Sequence, residues 1–383
     1  MKYRALAGMI CISIMLSGCG SISGRHGIDS GFAYIEKHEY SKALESFGEA
    51  EANGEDACLV HRGKGIAYLY TGDYAQAVSE LQMSLDTDNG VVDDMDFDTN
   101  YYIAEAYMKL GEYDNALERY NAILDLRDRD SNAYYLRGVC ELAQDAESKK
   151  NMTALEKGSD DEKSELANSA LSDFTTAIRY NPKDYSMVIM IYKALSEYHY
   201  DDDGVAILQN TLNSGKASMN NYEKGQMYFY LGDNAEAQKF LEKARNERNQ
   251  DRENAVILLG MIEERREDYD AALRIYKPYV SNNPKSARVR NKLGMCQIRQ
   301  GDFSLAQGNY DGAMQCYEEA VATFAEALDI NDSSMNQPLM LNRITAYEHM
   351  GKFNLAKEEM AKYLELYPSD EEAIRENVFI STR

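Results

Sequence analysis

The side chains able to carry chemistry are thinly spread along these 383 residues. The five histidines, His26, His38, His61, His199 and His349, include no pair at the i, i+4 spacing that sets two imidazoles on one zinc ion. Gly215-Lys216 has the central pair of a phosphate-binding loop, but Ala217 follows where a hydroxyl is needed and Asn210 stands where the first glycine belongs. Gly20-Ser21-Ile22-Ser23-Gly24 has the residue types of a nucleophile turn at the wrong spacing. The acidic run Asp86 to Asp96 fails as a calcium loop, because Gly90 occupies the third ligand position and no glutamate closes a twelve-residue loop. Carboxylate pairs are plentiful on helix faces, as 64 acidic residues against 41 basic ones make unavoidable, and their pattern marks none as buried. The sequence therefore predicts no catalytic residue, no metal site and no cofactor. A net charge of −23 without a dense run of Lys or Arg excludes a nucleic-acid partner.

The elements that would position any site recur along the chain. The clearest copy is Tyr102 to Leu124, where Ala104 and Tyr107 lie on one apolar stripe, Gly111 makes a turn, and Tyr113, Ala116, Tyr120 and Ile123 lie on a second stripe. That pattern is a helical hairpin. The alanine opening each second helix recurs as Ala43, Ala77, Ala116, Ala170, Ala206, Ala237, Ala272, Ala320 and Ala356, at intervals of 34, 39, 54, 36, 31, 35, 48 and 36, which predicts nine hairpins. Gly31, Gly65, Ala104, Gly138, Gly225, Gly260 and Gly294 sit where the two helices of a hairpin approach closely. Phe47, Leu81, Tyr120, Phe174, Leu241, Tyr276, Phe324 and Met360 supply the large residue of the second helix. In the fifth hairpin Asp201-Asp202-Asp203-Gly204 reads as the turn and Asn210 stands where an aromatic is expected.

Three intervals are stretched by insertions, near residues 86–96, 143–165 and 301–314. The first is an acidic loop, and the second a polar excursion at a hairpin tip. The third keeps its periodicity through Tyr310, Ala313, Tyr317, Ala320, Phe324 and Ala327, which predicts two lengthened helices meeting near Gln307-Gly308-Asn309. Cys296 and Cys316 lie on those two helices, either joined as a disulfide or each filling a small buried site, as Cys58 and Cys140 would. After the ninth hairpin, residues 369–383 hold a capping helix and tail, with Ser369 or Asp370 as N-cap and Ala373, Ile374, Val378 and Phe379 as its apolar stripe.

A small residue and an aromatic on the first helix, with Ala-x3-aromatic on the second at a period near 34, resemble the tetratricopeptide repeat. The resemblance implies an all-α fold, a right-handed superhelical solenoid of about nine hairpins over residues 30–368. The family's usual first-helix tryptophan is absent throughout, replaced for example by His61, Tyr134 and Asn221. It also implies a concave face lined by first helices. Counted from each small residue, that face comprises Ile28, Phe32 and Ile35; Ile66, Leu69 and Tyr70; Tyr101, Glu105, Met108 and Lys109; Tyr135, Val139 and Leu142; Tyr222, Gln226, Phe229 and Tyr230; and Ile257 and Met261. The residues expected to bind a partner are Phe32, Ile66, Tyr70, Tyr101, Glu105, Met108, Tyr135, Tyr222, Gln226, Phe229, Tyr230 and Met261. The Lys and Asn set with which chaperone-binding members clamp a C-terminal carboxylate does not occur. A face of Tyr, Phe, Met and Ile suits a peptide or protein segment; the alternative it leaves open is capture of a glycan or small solute.

The first residues are of another kind. Lys2 and Arg4 precede an apolar run from Ala5 to Leu16 that is too short to span a bilayer, followed by Leu16-Ser17-Gly18-Cys19. This resembles a bacterial lipoprotein signal peptide, cut before a cysteine that carries diacylglycerol. The resemblance implies a signal peptide over residues 1–18, lipidated Cys19 and a Gly- and Ser-rich tether over 19–29. The protein would then face outward from a bacterial membrane, or sit on the outer membrane of a host that has two, with a cell-envelope protein or peptide as partner.

Overall fold

The computed structural model describes residues 26–88, 90–151, 163–249, 251–368 and 370–383. The signal peptide, Cys19, the tether up to Arg25, Asn89, residues 152–162 of the second insertion, and Ser369 lie outside the described residues. Every regular element among those described is an α-helix. The chain divides into two units, Met1–Thr211 and Leu212–Arg383.

In the first unit the helices are α1 (His26–Glu36), α2 (Tyr40–Ala52), α3 (Ala57–Thr71), α4 (Tyr74–Thr87), α5 (Asp94–Leu110), α6 (Tyr113–Leu126), α7 (Ser131–Asn151), α8 (Glu165–Tyr180), α9 (Tyr185–Glu197) and α10 (Asp201–Gly215), whose last residues belong to the second unit. The second unit continues with α11 (Asn221–Tyr230), α12 (Asn234–Ala244), α13 (Asp251–Arg265), α14 (Tyr269–Asn282), α15 (Ala287–Ala306), α16 (Tyr310–Leu328), α17 (Ser333–His349), α18 (Phe353–Leu366) and α19 (Glu371–Ser381). They form consecutive pairs, and each pair except α7–α8 is joined by a turn of two or three residues. The α3–α4 turn shows how: Gly72 at φ 87° ends α3, the Asp73 amide bonds back to the Tyr68 carbonyl, and the Asp73 carboxylate caps α4 through the Gln76 amide.

Close approach holds each pair together. The Phe47 ring of α2 is fully buried, and a Cβ added at Gly31 of α1 or Gly63 of α3 would lie 2.6 and 2.2 Å from it. One ring thus wedges between two first helices that must both be bare at the point of contact. The same fit recurs where Gly138 meets Phe174 at 2.7 Å, Gly294 meets Phe324 at 2.5 Å and Gly260 meets Tyr276 at 2.0 Å. Apart from Gly63, these are the small and large partners read from the sequence pattern. Each buried ring contributes about 1.5–3 kcal/mol over its exposed state.

The fifth pair corrects one register. Ala206 is exposed, and the small residue against α9 is Gly204, with Leu208 and Leu212 buried below it; Asn210 faces outward. The intervals from Ala170 to Gly204 and from there to Ala237 become 34 and 33. The three aspartates are not the turn but the first turn of α10, where the helix dipole favours them; the reversal is Tyr198 to Tyr200, with His199 at φ 66°.

The insertions are resolved differently. In the first, Asp93 caps α5 through the Met95 and Asp96 amides while Asp96 accepts from the Asp93 amide, so the acidic run serves as a capping box. In the second, α7 continues to Asn151, and Tyr200 from the α9–α10 turn donates to Asp145 at 2.7 Å. In the third, α15 and α16 are 20 and 19 residues long and meet at Gln307 to Asn309. Cys296 and Cys316 are not joined. Residues equally distant from the tip face each other, which sets Cys316 against Gln300 Oε1 at 3.5 Å, while Cys296 points to the Tyr269 carbonyl at 3.8 Å. Burial pushes the Cys140 and Cys296 thiols up to about 12, which keeps them protonated. In α19 the buried seam is Ala373 and Ile380, whereas Ile374, Val378 and Phe379 are exposed, because the helix meets its neighbour along residues seven apart. Asp370 is its N-cap.

Among the described residues no helix is long and apolar enough to cross a membrane, and no group of three or more His, Cys, Asp or Glu is placed to hold a metal ion.

Candidate partner-binding face

The first-helix residues read from the repeat pattern divide between the two units. In the first unit those of α5, with Tyr135 of α7, converge on Tyr120 of α6, which is fully buried. Its ring lies 6.4 Å from that of Tyr101, its hydroxyl donates to the Met108 sulfur at 3.6 Å, and Glu105 and Tyr135 are within electrostatic reach of that hydroxyl. Tyr101, Glu105 and Met108 of α5 and Tyr135 of α7 are therefore brought together. Tyr101 and Tyr135 are 7% and 9% exposed; burial pushes Tyr135 up to about 12 and Tyr101 further. Glu105 and Met108 are half-buried. Burial raises the Glu105 carboxyl above the usual carboxylate range, opposed by Lys109 one turn on. Tyr70 is exposed and stacks on Tyr40 at 5.2 Å.

Phe32 and Ile66 are not surface residues. They are 4% and 1% exposed; Phe32 packs edge-on against Phe47 at 5.1 Å, and Ile66 lies in one core with Tyr102 and Ile103 of the following first helix. Ile28, Ile35, Leu69 and Leu142 are likewise core. The offset from the small residue does not by itself set exposure: Phe32 and Ile66, each next to its glycine, are covered, whereas Glu105, Gln226 and Met261 at the same offset stay half-buried.

In the second unit Tyr222, Gln226, Tyr230 and Met261 are half-buried. The Gln226 amide donates to the Tyr222 hydroxyl at 3.0 Å, and burial, reinforced by Tyr230, pushes Tyr222 up to about 12. Phe229 is 1% exposed and is a packing residue: Tyr230 meets it edge-on at 5.2 Å and the Arg265 guanidinium covers it at 3.7 Å. Arg265 also donates to the Phe229 carbonyl at 3.0 Å, closing the end of α11. Ile257 is buried.

Arg62 and Arg265 stand among these first-helix residues, although the repeat pattern does not single them out. Arg62, three before Gly65, is buried between Tyr102, 5.7 Å from its ring, and Asp98 at 3.5 Å. Arg265 stands five after Gly260. Both occupy offsets assigned to the face in other hairpins, but carry a charge where the pattern expects an apolar side chain. Charge is also unevenly divided: the first unit carries 37 acidic and 19 basic residues, the second 27 and 22.

Beneath the face of α7 lies a polar network. Arg137 donates to both Asp173 oxygens, at 2.7 and 2.8 Å, and to Asn121 at 2.6 Å, while Ser169 donates to Glu141 at 2.6 Å. Burial, with Asp173 nearby, pushes the Glu141 carboxyl from 4.5 up to about 7. A raised carboxyl destabilises the fold as pH rises: the cost is absent below the ordinary 4.5 and complete above about 7. Glu141→Gln is accordingly expected to stabilise the protein by ~2 kcal/mol at alkaline pH and to leave acidic stability unchanged. Thermal melts at both ends of that window test this; equal effects at both would contradict it.

A family model described as tetratricopeptide repeat matches residues 101–148 and 257–333, and a second of the same description matches 220–244. No curated protein matches the chain. Among solved structures, a tetratricopeptide repeat protein from Parabacteroides merdae ATCC 43184 is 19% identical, covering 70% of this chain and 97% of that one at a TM-score of 0.39. YrrB, described as a TPR protein with an unusual peptide-binding site, is 16% identical over 50% of this chain and 85% of its own, at 0.34. MamA from residue 41 onward, from Desulfovibrio magneticus RS-1, is 14% identical over 52% of this chain and 98% of its own, at 0.39. The paired helices, their glycine contacts and the matching models identify the hairpins of these segments as tetratricopeptide repeats.

Proposed function

We propose that this protein is an extracytoplasmic lipoprotein, held to a bacterial membrane through acyl chains on Cys19, that serves as a non-catalytic scaffold for a peptide or protein of the cell envelope. Tetratricopeptide repeats are consistent with such a scaffold. The observation that carries the reading is the set of half-buried side chains on first helices, Glu105 and Met108 in one unit and Tyr222, Gln226, Tyr230 and Met261 in the other. Half-buried rings and thioethers offer large contact area at small ordering cost. The basic start, short apolar run and Leu16-Ser17-Gly18-Cys19 support the anchor and the address.

The test is recovery of a partner from detergent-extracted envelopes. A double variant, Met108→Glu and Tyr230→Glu, is expected to lower the yield of the wild-type partner about tenfold or more, since each places a charge where apolar contact is lost. A Glu118→Gln control on the exposed side of α6 should leave the yield unchanged. Equal recovery by all three proteins would sink the scaffold reading. Cys19→Ala should block cleavage and acylation; normal processing of that variant would sink the anchor.

A further inference from the structure

Three aspartates withdrawn from water in the first unit are paired with bases. Asp173 holds Arg137 at 2.7 Å, Asp145 holds Lys149 at 2.9 Å and Asp98 holds Arg62 at 3.5 Å. Glu141 has the Ser169 hydroxyl and the field of Arg137. Glu105 has neither kind of partner. It is half-buried on α5, its carboxylate makes no hydrogen bond or ion pair among the described residues, and Lys109 acts on it only at a distance. The Met108 thioether, Tyr101 and Tyr135 gather with it about the Tyr120 hydroxyl.

Resting on the reading of this face as the partner-binding surface, we propose that the bound segment carries a lysine or arginine that pairs with Glu105 and is flanked by apolar residues. A carboxylate withdrawn from water without a counter-charge is costly, and a cation arriving in the bound state relieves that cost. A long basic side chain fits the surroundings as well: its methylene stem covers Met108 while its head reaches the carboxylate, and the tyrosine rings attract the same charge. An acidic or purely apolar segment would leave Glu105 buried and unpaired. The excess of acidic residues in this unit steers a basic segment toward it.

The test is selection of random twelve-residue peptides displayed on phage against the purified full chain, followed by affinity measurement with the enriched peptide. Enrichment of Lys or Arg at one position among apolar neighbours is expected. Glu105→Gln should weaken that peptide about 30-fold or more, and Glu105→Lys should restore binding to the same peptide carrying Glu at that position. Glu105→Gln keeps the shape and removes a half-buried, unpaired charge, so its thermal midpoint should not fall, which separates lost pairing from lost fold. Equal binding by wild type and Glu105→Gln, or enrichment without a basic position, overturns the pairing; loss of the same peptide on Met108→Glu would then leave the face itself standing. Binding that survives Met108→Glu, or no enrichment at all, overturns the face reading as well.

Discussion

Tyr276→Ala is expected to destabilise the second unit by about 3–5 kcal/mol, and Gly260→Ala by about 1–3 kcal/mol, with the double variant less destabilised than the two effects added. The coupling follows from one contact. The Tyr276 ring lies where a Cβ on residue 260 would stand, 2.0 Å from the ring carbon that bears the hydroxyl. That hydroxyl donates to Glu264 at 2.7 Å and reaches the Ile257 carbonyl at 3.3 Å; Glu264 also pairs with Arg299. Forcing the ring away by adding a methyl group takes the hydroxyl from a carboxylate that is 8% exposed. Once the ring is gone, the methyl has room. Denaturant titration of the four proteins measures the cycle, and strict additivity would mean that glycine at 260 is not there to admit the ring.

Arg137→Met is expected to cost about 3–5 kcal/mol, because it strands the buried Asp173 carboxylate. Asp173 is 5% exposed and receives two of its hydrogen bonds from that guanidinium. The loss should be smaller in acid than at alkaline pH, since Glu141 alongside already takes up a proton near neutrality. Replacing Arg137 and Asp173 together by apolar residues should recover most of the stability. Chemical denaturation across pH checks both statements; a pH-independent loss would show that the guanidinium acts through its packing alone.

What the sequence made legible was what steric necessity repeats. A large ring on a second helix and a bare backbone on the first must coincide wherever two helices cross closely, so Gly31 with Phe47 and Gly260 with Tyr276 stand out by spacing alone. The fifth hairpin hid because its crossing residue is Gly204, not alanine, and three aspartates look alike in a turn and at a helix start. Burial on the partner face was not legible. Whether Phe32 or Met108 meets solvent depends on how the next hairpin covers it, and no local pattern encodes that. Ile374, Val378 and Phe379 show the same limit, as an apolar stripe that the helix leaves exposed. The pairing of Arg137 with Asp173 joins residues 36 apart, beyond any helical period.

The central claim is that first helices, not second helices, meet a partner. A photo-crosslinking residue placed in turn at Met108, Tyr230, Leu126 and Leu366 in intact cells measures this most directly. Leu126 and Leu366, at the ends of α6 and α18, are 68% and 62% exposed, so accessibility favours them. The account predicts that Met108 and Tyr230 attach to the same envelope protein while Leu126 and Leu366 attach to nothing specific. Adducts at Leu126 and Leu366 with none at Met108 and Tyr230 would contradict it.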